Sequence, residues 1–325
     1  MAGFAHNHLL GIANLEREDI TTILDAAEAF INVSRRPVRK VPALRGKTVI
    51  NMFFEASTRT RTSFELAGKR LSADVVNVTG SGSSLSKGES LLDTCRTLEA
   101  MRPDIVVMRH NASGAPHYVA RRVGCSVVNG GDGAHEHPTQ ALLDAYMIRH
   151  TFGTLSGLKV AICGDISHSR VARSNAALLN KFGSEVRLCG PRTLLPVAAE
   201  TLGAKVYADL NEGIEGVNVI MLLRIQRERL EGALLPTMRE YSRKFGVAQP
   251  QLDRAAPNAI VMHPGPMNRG VEIHPALADS ERSVILDQVE AGVAVRMAVL
   301  YLLAKDQRGT SPEQAAAMGA RSAES

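Results

Sequence analysis

Apolar residues Ile20, Ile23, Leu24, Ala27, Phe30 and Ile31 recur at helical intervals, which predicts an amphipathic helix packed on whatever follows it. After it the period changes. Short β-rich runs over residues 48–54, 75–78, 105–108 and 127–129 read as strands, with helical patterns at 60–71, 89–101 and 116–123 between them. Such alternation implies a parallel sheet, because parallel neighbours need a crossover connection. A helical stretch at 138–151 and the turn Gly153-Thr154-Leu155-Ser156-Gly157 lead into a second series, with strands at 159–163, 185–188, 205–207, 217–223 and 259–262. The expectation is an α/β protein of two domains, 1–150 and 151–287, each a parallel sheet flanked by helices. A last helix, at 288–305, is expected to pack back on the first domain, and the polar, small-residue-rich stretch 306–325 reads as a loosely held tail.

Length agrees, since 325 residues at about 150 per domain suggest two domains. Hydrophobic residues at 45% and charged residues at 22% are ordinary for a globular protein and exclude disordered or collagen-like classes. The net charge of +5 suits a small anion as well as a nucleic acid, so its distribution decides. With no Trp and 4% aromatic residues, stacking platforms for single strands are scarce. The basic run Arg35-Arg36-Pro37-Val38-Arg39-Lys40 has no interleaved aromatic and reads as a solvated loop, so no nucleic-acid partner is expected. Cys95, Cys125, Cys163 and Cys189 form no Cys-x-x-Cys pair and read as buried thiols. Residues 1–19 lack the pattern of a signal peptide, and the apolar run 291–304 is too short to span a bilayer and carries Arg296. A cytoplasmic protein without a membrane partner is expected.

In open parallel sheets ligands gather at the carboxyl ends of strands, which makes the turns after the strands the places to search. Ser57-Thr58-Arg59-Thr60-Arg61-Thr62 follows the first strand and opens a helix. A helix cap needs one hydroxyl. Four hydroxyls and two arginines beside free backbone N–H groups point to a phosphate. Arg109-His110 ends the strand 105–108, where ligand contact and a surface ion pair are evenly matched readings. In His135-Glu136-His137-Pro138-Thr139-Gln140 the histidines are two apart, against four in the helical metalloprotease pattern, so no metal is assigned. His137 and Gln140 instead suit the carbonyl and amide of a small ligand. Gly164-Asp165-Ile166-Ser167-His168-Ser169-Arg170 looks superficially like a dinucleotide fold but lacks its glycine spacing, so no NAD or FAD is assigned. Arg170 and Arg224, each at a strand end, suit a dicarboxylate, and the carbonyls of His263-Pro264-Gly265-Pro266-Met267-Asn268-Arg269-Gly270 suit an NH₂ group.

Together these motifs resemble the carbamoyltransferase family, specifically its aspartate carbamoyltransferase catalytic chains, over residues 9–304. The resemblance implies transfer of the carbamoyl group of carbamoyl phosphate to L-aspartate, an early committed step of pyrimidine biosynthesis, without cofactor or metal. It implies that Ser57, Thr58, Arg59 and Thr60 hold phosphate, and that Thr60, Arg109 and His137 stabilise the carbonyl oxygen. Gln140 with the Gly265 and Pro266 backbone would take the carbamoyl NH₂, and Arg170, Arg224 and Gln226 would bind aspartate. Lys87, in the loop Ser84-Leu85-Ser86-Lys87-Gly88-Glu89, would act catalytically and on aspartate by entering a neighbour's site in a homotrimer; the choice between Ser83 and Ser84 for phosphate stays open. Open too is whether regulatory chains or a dihydroorotase-like partner join the trimer. The competing functions are ornithine carbamoyltransferase, which Arg224 opposes because it would repel an ammonium, and a non-catalytic phosphate-metabolite sensor, which the intact Thr60, Arg109, His137 and Lys87 oppose.

Overall fold

A computed structural model of the chain describes residues 4–80, 88–225 and 237–304. The chain divides into two compact units, the first comprising Met1–Tyr146 with Glu290–Ser325 and the second Met147–Val289.

In the first unit the elements run α1 (Arg17–Ser34), β1 (Thr48–Phe53), α2 (Thr58–Arg70), β2 (Asp74–Thr79), α3 (Leu91–Glu99), β3 (Ile105–His110), α4 (Ala115–Ala120), β4 (Ser126–Asp132) and α5 (Pro138–Phe152). The strands form one parallel sheet in the order β2-β1-β3-β4. Strands β1, β3 and β4 are buried over almost their whole length, as a sheet covered on both faces requires, whereas the edge strand β2 is largely half-exposed or exposed. Helix α2 lies close on the sheet, since a Cβ at Gly68 would come within 2.6 Å of Val75 Cγ2.

The second unit continues with β5 (Lys159–Cys163), α6 (Arg170–Lys181), β6 (Glu185–Cys189), β7 (Lys205–Tyr207), α7 (Leu210–Ile214), β8 (Val219–Leu222), α8 (Met238–Phe245), α9 (Gln249–Leu252), β9 (Ile260–Met262), α10 (Pro275–Ala278) and α11 (Ile285–Leu303), whose later residues belong to the first unit. Its parallel sheet has the order β7-β6-β5-β8-β9. Gly164, which follows β5 with φ +131°, is required twice over: its backbone is left-handed in φ, and a Cβ there would lie 3.0 Å from the Leu223 carbonyl oxygen at the end of β8.

The α/β architecture read from the sequence is therefore the one observed, and α11 packs on the first unit. Phe30 of α1 and Tyr301 of α11 meet edge to face at 5.5 Å, and Arg35 makes a two-pronged bond to Glu290 (2.9 and 3.1 Å). Arg35 thus leaves the expected solvated loop and serves helix docking. Helix α11 starts three residues earlier than the pattern suggested, at Ile285, because Val284 and Gln288 already share a helical bond. Cys95, Cys163 and Cys189 are buried, but Cys125, read as buried, is partly exposed. Burial pushes the Cys95 thiol up to about 12, and the mutual hydrogen bond of Cys163 with Cys189, together with burial, pushes the Cys163 thiol up. The Cys95 and Cys163 thiols are protonated packing groups rather than nucleophiles. Among the described residues no helix is long and apolar enough to cross a membrane. The expected tail, 306–325, lies outside the described residues.

Because Phe30 is fully buried against Tyr301, Phe30→Ala is expected to cost about 3–5 kcal/mol of stability, read as a lowered urea midpoint with the far-UV spectrum retained.

Candidate active site

Each sheet reverses its winding direction once, and the clusters found in the sequence flank these points. In the first unit the connections after β1 and β3 lead to opposite sides, so a crevice opens at their carboxyl ends. Residues 57–60 follow β1. Ser57 is the N-cap of α2, its Oγ accepting the Thr60 N–H at 3.4 Å. That long contact uses one acceptor lone pair and leaves the hydroxyl proton for another partner, so capping does not preclude anion binding. Thr58 and Arg59 are exposed and Thr60 is buried, which places the cluster at the mouth of the helix.

Arg109 ends β3, nearly buried, and donates from Nη2 to Glu55 at 2.8 Å. Glu55 belongs to the connection after β1, so this charge-assisted bond ties the two strand ends. Strand β4 bulges opposite: Met108 pairs with Asn129 but His110 with Asp132, so β4 carries one extra residue. The turn after it delivers His137 and Gln140, both buried, to the start of α5. Glu136, one of the residues that suggested a metal, is structural, because its carboxylate accepts the Ile12 N–H (3.1 and 3.2 Å). His110 turns to its own loop, where Nδ1 accepts the Ala112 N–H at 2.9 Å.

Behind these groups lies a buried polar layer that sequence reasoning missed. Gln140 Nε2 donates to Asp144 Oδ1 at 2.9 Å, and both residues are buried. A carboxylate can only accept, so Asp144 fixes the amide with Nε2 toward itself and leaves Oε1 to receive a ligand N–H. Arg296 of α11, also buried, donates to Ser63 Oγ and to the Gly292 carbonyl at 3.0 Å each. Burial pushes its guanidinium down to about 9; the Asp144 charge opposes this, and Arg109 and Arg59 add to it. At neutral pH it is still a cation. Arg59, Arg109 and Arg296 therefore form one positive region over the strand ends, suited to a dianion.

In the second unit the winding reverses between β5 and β8. Arg170 opens α6 after β5, with Ser169 Oγ capping the Ala172 N–H at 3.1 Å, and Arg224 follows the adjacent β8. The two guanidiniums expected from sequence thus flank one crevice. The loop after β9, next to β8, presents Gly265 and Pro266. It is held by His263, whose Nδ1 accepts the Gly265 N–H at 2.7 Å. That bond leaves the ring proton on Nε2, which donates to the buried Glu272 at 3.1 Å. Glu272 also accepts from Asn268, and Gln288 Oε1 accepts the His263 N–H at 3.0 Å. Lys87, Ser83, Ser84 and Gln226 lie outside the described residues.

Comparison with known proteins shows the family of the chain. The family model "Aspartate/ornithine carbamoyltransferase, carbamoyl-P binding domain" matches residues 7–150, and the companion Asp/Orn binding domain matches 156–303. The chain belongs to the aspartate/ornithine carbamoyltransferase family. Its relatives include the aspartate carbamoyltransferase catalytic subunits of Sorangium cellulosum, 66% identical over 93% of this chain and 94% of that one, and of Syntrophotalea carbinolica, 61% identical over 94% and 97%. Among solved structures, aspartate transcarbamoylase from Trypanosoma cruzi in complex with N-(phosphonacetyl)-L-aspartic acid superposes with a TM-score of 0.82 at 30% identity, covering 90% of this chain and 94% of that one. Ornithine carbamoyltransferase from Pyrococcus furiosus superposes with a TM-score of 0.84 at 28% identity, covering 95% and 100%.

Family membership makes carbamoyl transfer the activity to measure on the polar layer. Asp144→Ala leaves Arg296 buried without its opposing charge and frees the Gln140 amide to flip. The expected results are about 3–5 kcal/mol less stability and a lower kcat, with Asp144→Asn, which keeps an acceptor for Gln140, retaining more of the rate than Asp144→Ala.

Proposed function

We propose that this chain transfers the carbamoyl group of carbamoyl phosphate to the amino group of L-aspartate, giving N-carbamoyl-L-aspartate and phosphate, as a cytoplasmic enzyme of pyrimidine biosynthesis. The observation that carries this reading is the contrast between the two crevices: one has hydroxyls, a helix N-terminus and arginines suited to a phosphate, the other Arg170 and Arg224, suited to a dicarboxylate. The first unit takes carbamoyl phosphate. Ser57, Thr58, Arg59 and Thr60 bind its phosphate, Arg109 and His137 its carbonyl oxygen, and Gln140 its NH₂ together with the Gly265 and Pro266 carbonyls. The second unit takes aspartate through Arg170, Arg224 and Gln226.

In the reaction the neutral aspartate amine donates its lone pair to the carbamoyl carbon. A C–N bond forms, and the carbonyl electron pair moves onto oxygen, where Thr60, Arg109 and His137 donate hydrogen bonds. Oxyanion donors already in place are each worth ~2.7–4 kcal/mol, so electrostatic preorganisation is the main catalytic contribution. The carbonyl then reforms and the C–O bond to phosphate breaks, its electron pair leaving with the phosphate. The departing phosphate accepts the amine proton. No covalent enzyme intermediate is needed.

Aspartate is favoured over ornithine because Arg224 would repel an ammonium, and because relatives at 56–66% identity are named aspartate carbamoyltransferase catalytic subunits. The assembly is a cyclic homotrimer in which Lys87 of one chain serves the site of the next, since a heterologous interface lets a loop serve only its neighbour.

Arg59→Ala is expected to raise the carbamoyl phosphate KM and lower kcat, together by about 10–100-fold, the worth of one charged hydrogen bond of about 1.5–3 kcal/mol. Unchanged carbamoyl phosphate affinity would remove Arg59 from the site. Arg224→Ala should raise the aspartate KM while sparing carbamoyl phosphate affinity; a wild-type enzyme that carbamoylates ornithine faster than aspartate would overturn the assignment. For the shared site, mixing equal amounts of Lys87→Ala and His137→Ala chains under conditions that scramble the trimers should restore an intact pairing at about a quarter of sites. Scrambled trimers as inactive as their parents would place Lys87 in its own chain's site.

A further inference from the structure

We propose that His117, Asp132 and His135 form a binding site for one divalent transition-metal ion of the zinc class, which staples helix α4 to the turn preceding His137 and is not required for carbamoyl transfer. The sequence hides this site, because its second histidine is His117, on α4, and not the nearby His137. One donor atom from each of the three residues lies within 4.8 Å of the others. Donors on one tetrahedral ion with bonds near 2.0–2.1 Å stand roughly 3.3 Å apart, so closure asks for a shift of at most about 1.5 Å. The half-exposed His135 side chain is free to make that shift.

The carboxylate is already fixed. Asp132, fully buried, accepts from the Gly114 N–H (2.6 Å), from Asn129 Nδ2 (2.9 Å) and from the Glu136 N–H (3.0 Å), which orient it as supporting hydrogen bonds orient metal-binding carboxylates. Its remaining contact is with His135 Nδ1 at 3.0 Å, and this is the contact that an ion would replace. The backbone around it is equally constrained: a Cβ at Gly133 would clash with Ser113 Oγ and lie 2.9 Å from the Asn111 carbonyl, so the loop before α4 and the turn after β4 are pressed together.

His117 supplies the independent sign of a ligand. Its Nδ1 is buried and makes no hydrogen bond among the described residues, and a buried nitrogen left so costs about 1–3 kcal/mol. Its ring stands edge to face with that of His135 at 5.6 Å between centroids. Two imidazoles and one carboxylate make an N₂O set that favours zinc, cobalt or nickel over magnesium or calcium, with water in the fourth position.

The test uses the full-length, untagged chain after chelator treatment, titrated with Co²⁺ and then Zn²⁺. The expected result is one Co²⁺ per chain with the visible absorption of a low-coordinate site, displaced by Zn²⁺, and a rise of the melting temperature with Zn²⁺. His117→Ala and His135→Ala should each weaken Co²⁺ binding at least tenfold while keeping carbamoyl transfer, which also shows that they fold; His117→Gln serves if His117→Ala does not. Three outcomes would overturn the proposal: no stoichiometric Co²⁺ binding, binding unchanged in both variants, or binding abolished by carbamoyl phosphate, which would put the ion at the His137 cluster. Metal binding is read without turnover, so this result stands or falls separately from the assigned reaction.

Discussion

Parallel strands covered on both faces have no solvent side on which to carry polar chemistry. Along β1, β3, β5 and β8 nearly every residue is buried, and polar groups capable of binding a ligand are displaced to the carboxyl ends. There the helices that follow begin, with unbonded N–H groups facing outward. Both units obey this constraint, and both place their arginines where the winding reverses, because only there do the connections diverge and leave room for a ligand.

Gathering cations at such an edge brings repulsion: burial is the main cause of the low Arg296 pKa, and Arg109 and Arg59 add to it by repulsion. Three features offset it. Glu55 bonds Arg109, Asp144 opposes Arg296, and the Arg296 guanidinium stays hydrogen-bonded to Ser63 and Gly292. Since Ser63 lies on α2, Gln140 and Asp144 on α5 and Arg296 on α11, one buried layer joins the helix that opens on the phosphate cluster, the helix bearing Gln140 and the returning C-terminal helix. Packing of α11 is thus part of how the first unit holds its ligand groups.

The loop after β9 is held in a comparable way. Half-buried Gly265 and exposed Pro266 have little of their own to fix them, so His263, Glu272 and Gln288 do so from inside. In each unit the candidate ligand groups occupy turns, and buried polar groups on neighbouring helices and loops hold them.

Most of the architecture was legible in the chain, for a physical reason: β-rich runs and helical periodicity are local signals, and a strict alternation of the two admits little besides parallel sheets. The grouping of hydroxyls and arginines from Ser57 to Thr62 at one helix start was legible as well, because these residues are contiguous. Arg296 shows the limit. In sequence it was a charge interrupting an apolar run, useful only against a membrane span; its partners Ser63 and Asp144 lie more than 150 positions away, and only folding brings them together. The same holds for Glu55 with Arg109, Glu136 with Ile12, and His117 with Asp132 and His135. Local composition determined which elements form and where ligands could approach, whereas the pairing of buried charges, set by contacts between distant segments, was decided only by the tertiary structure.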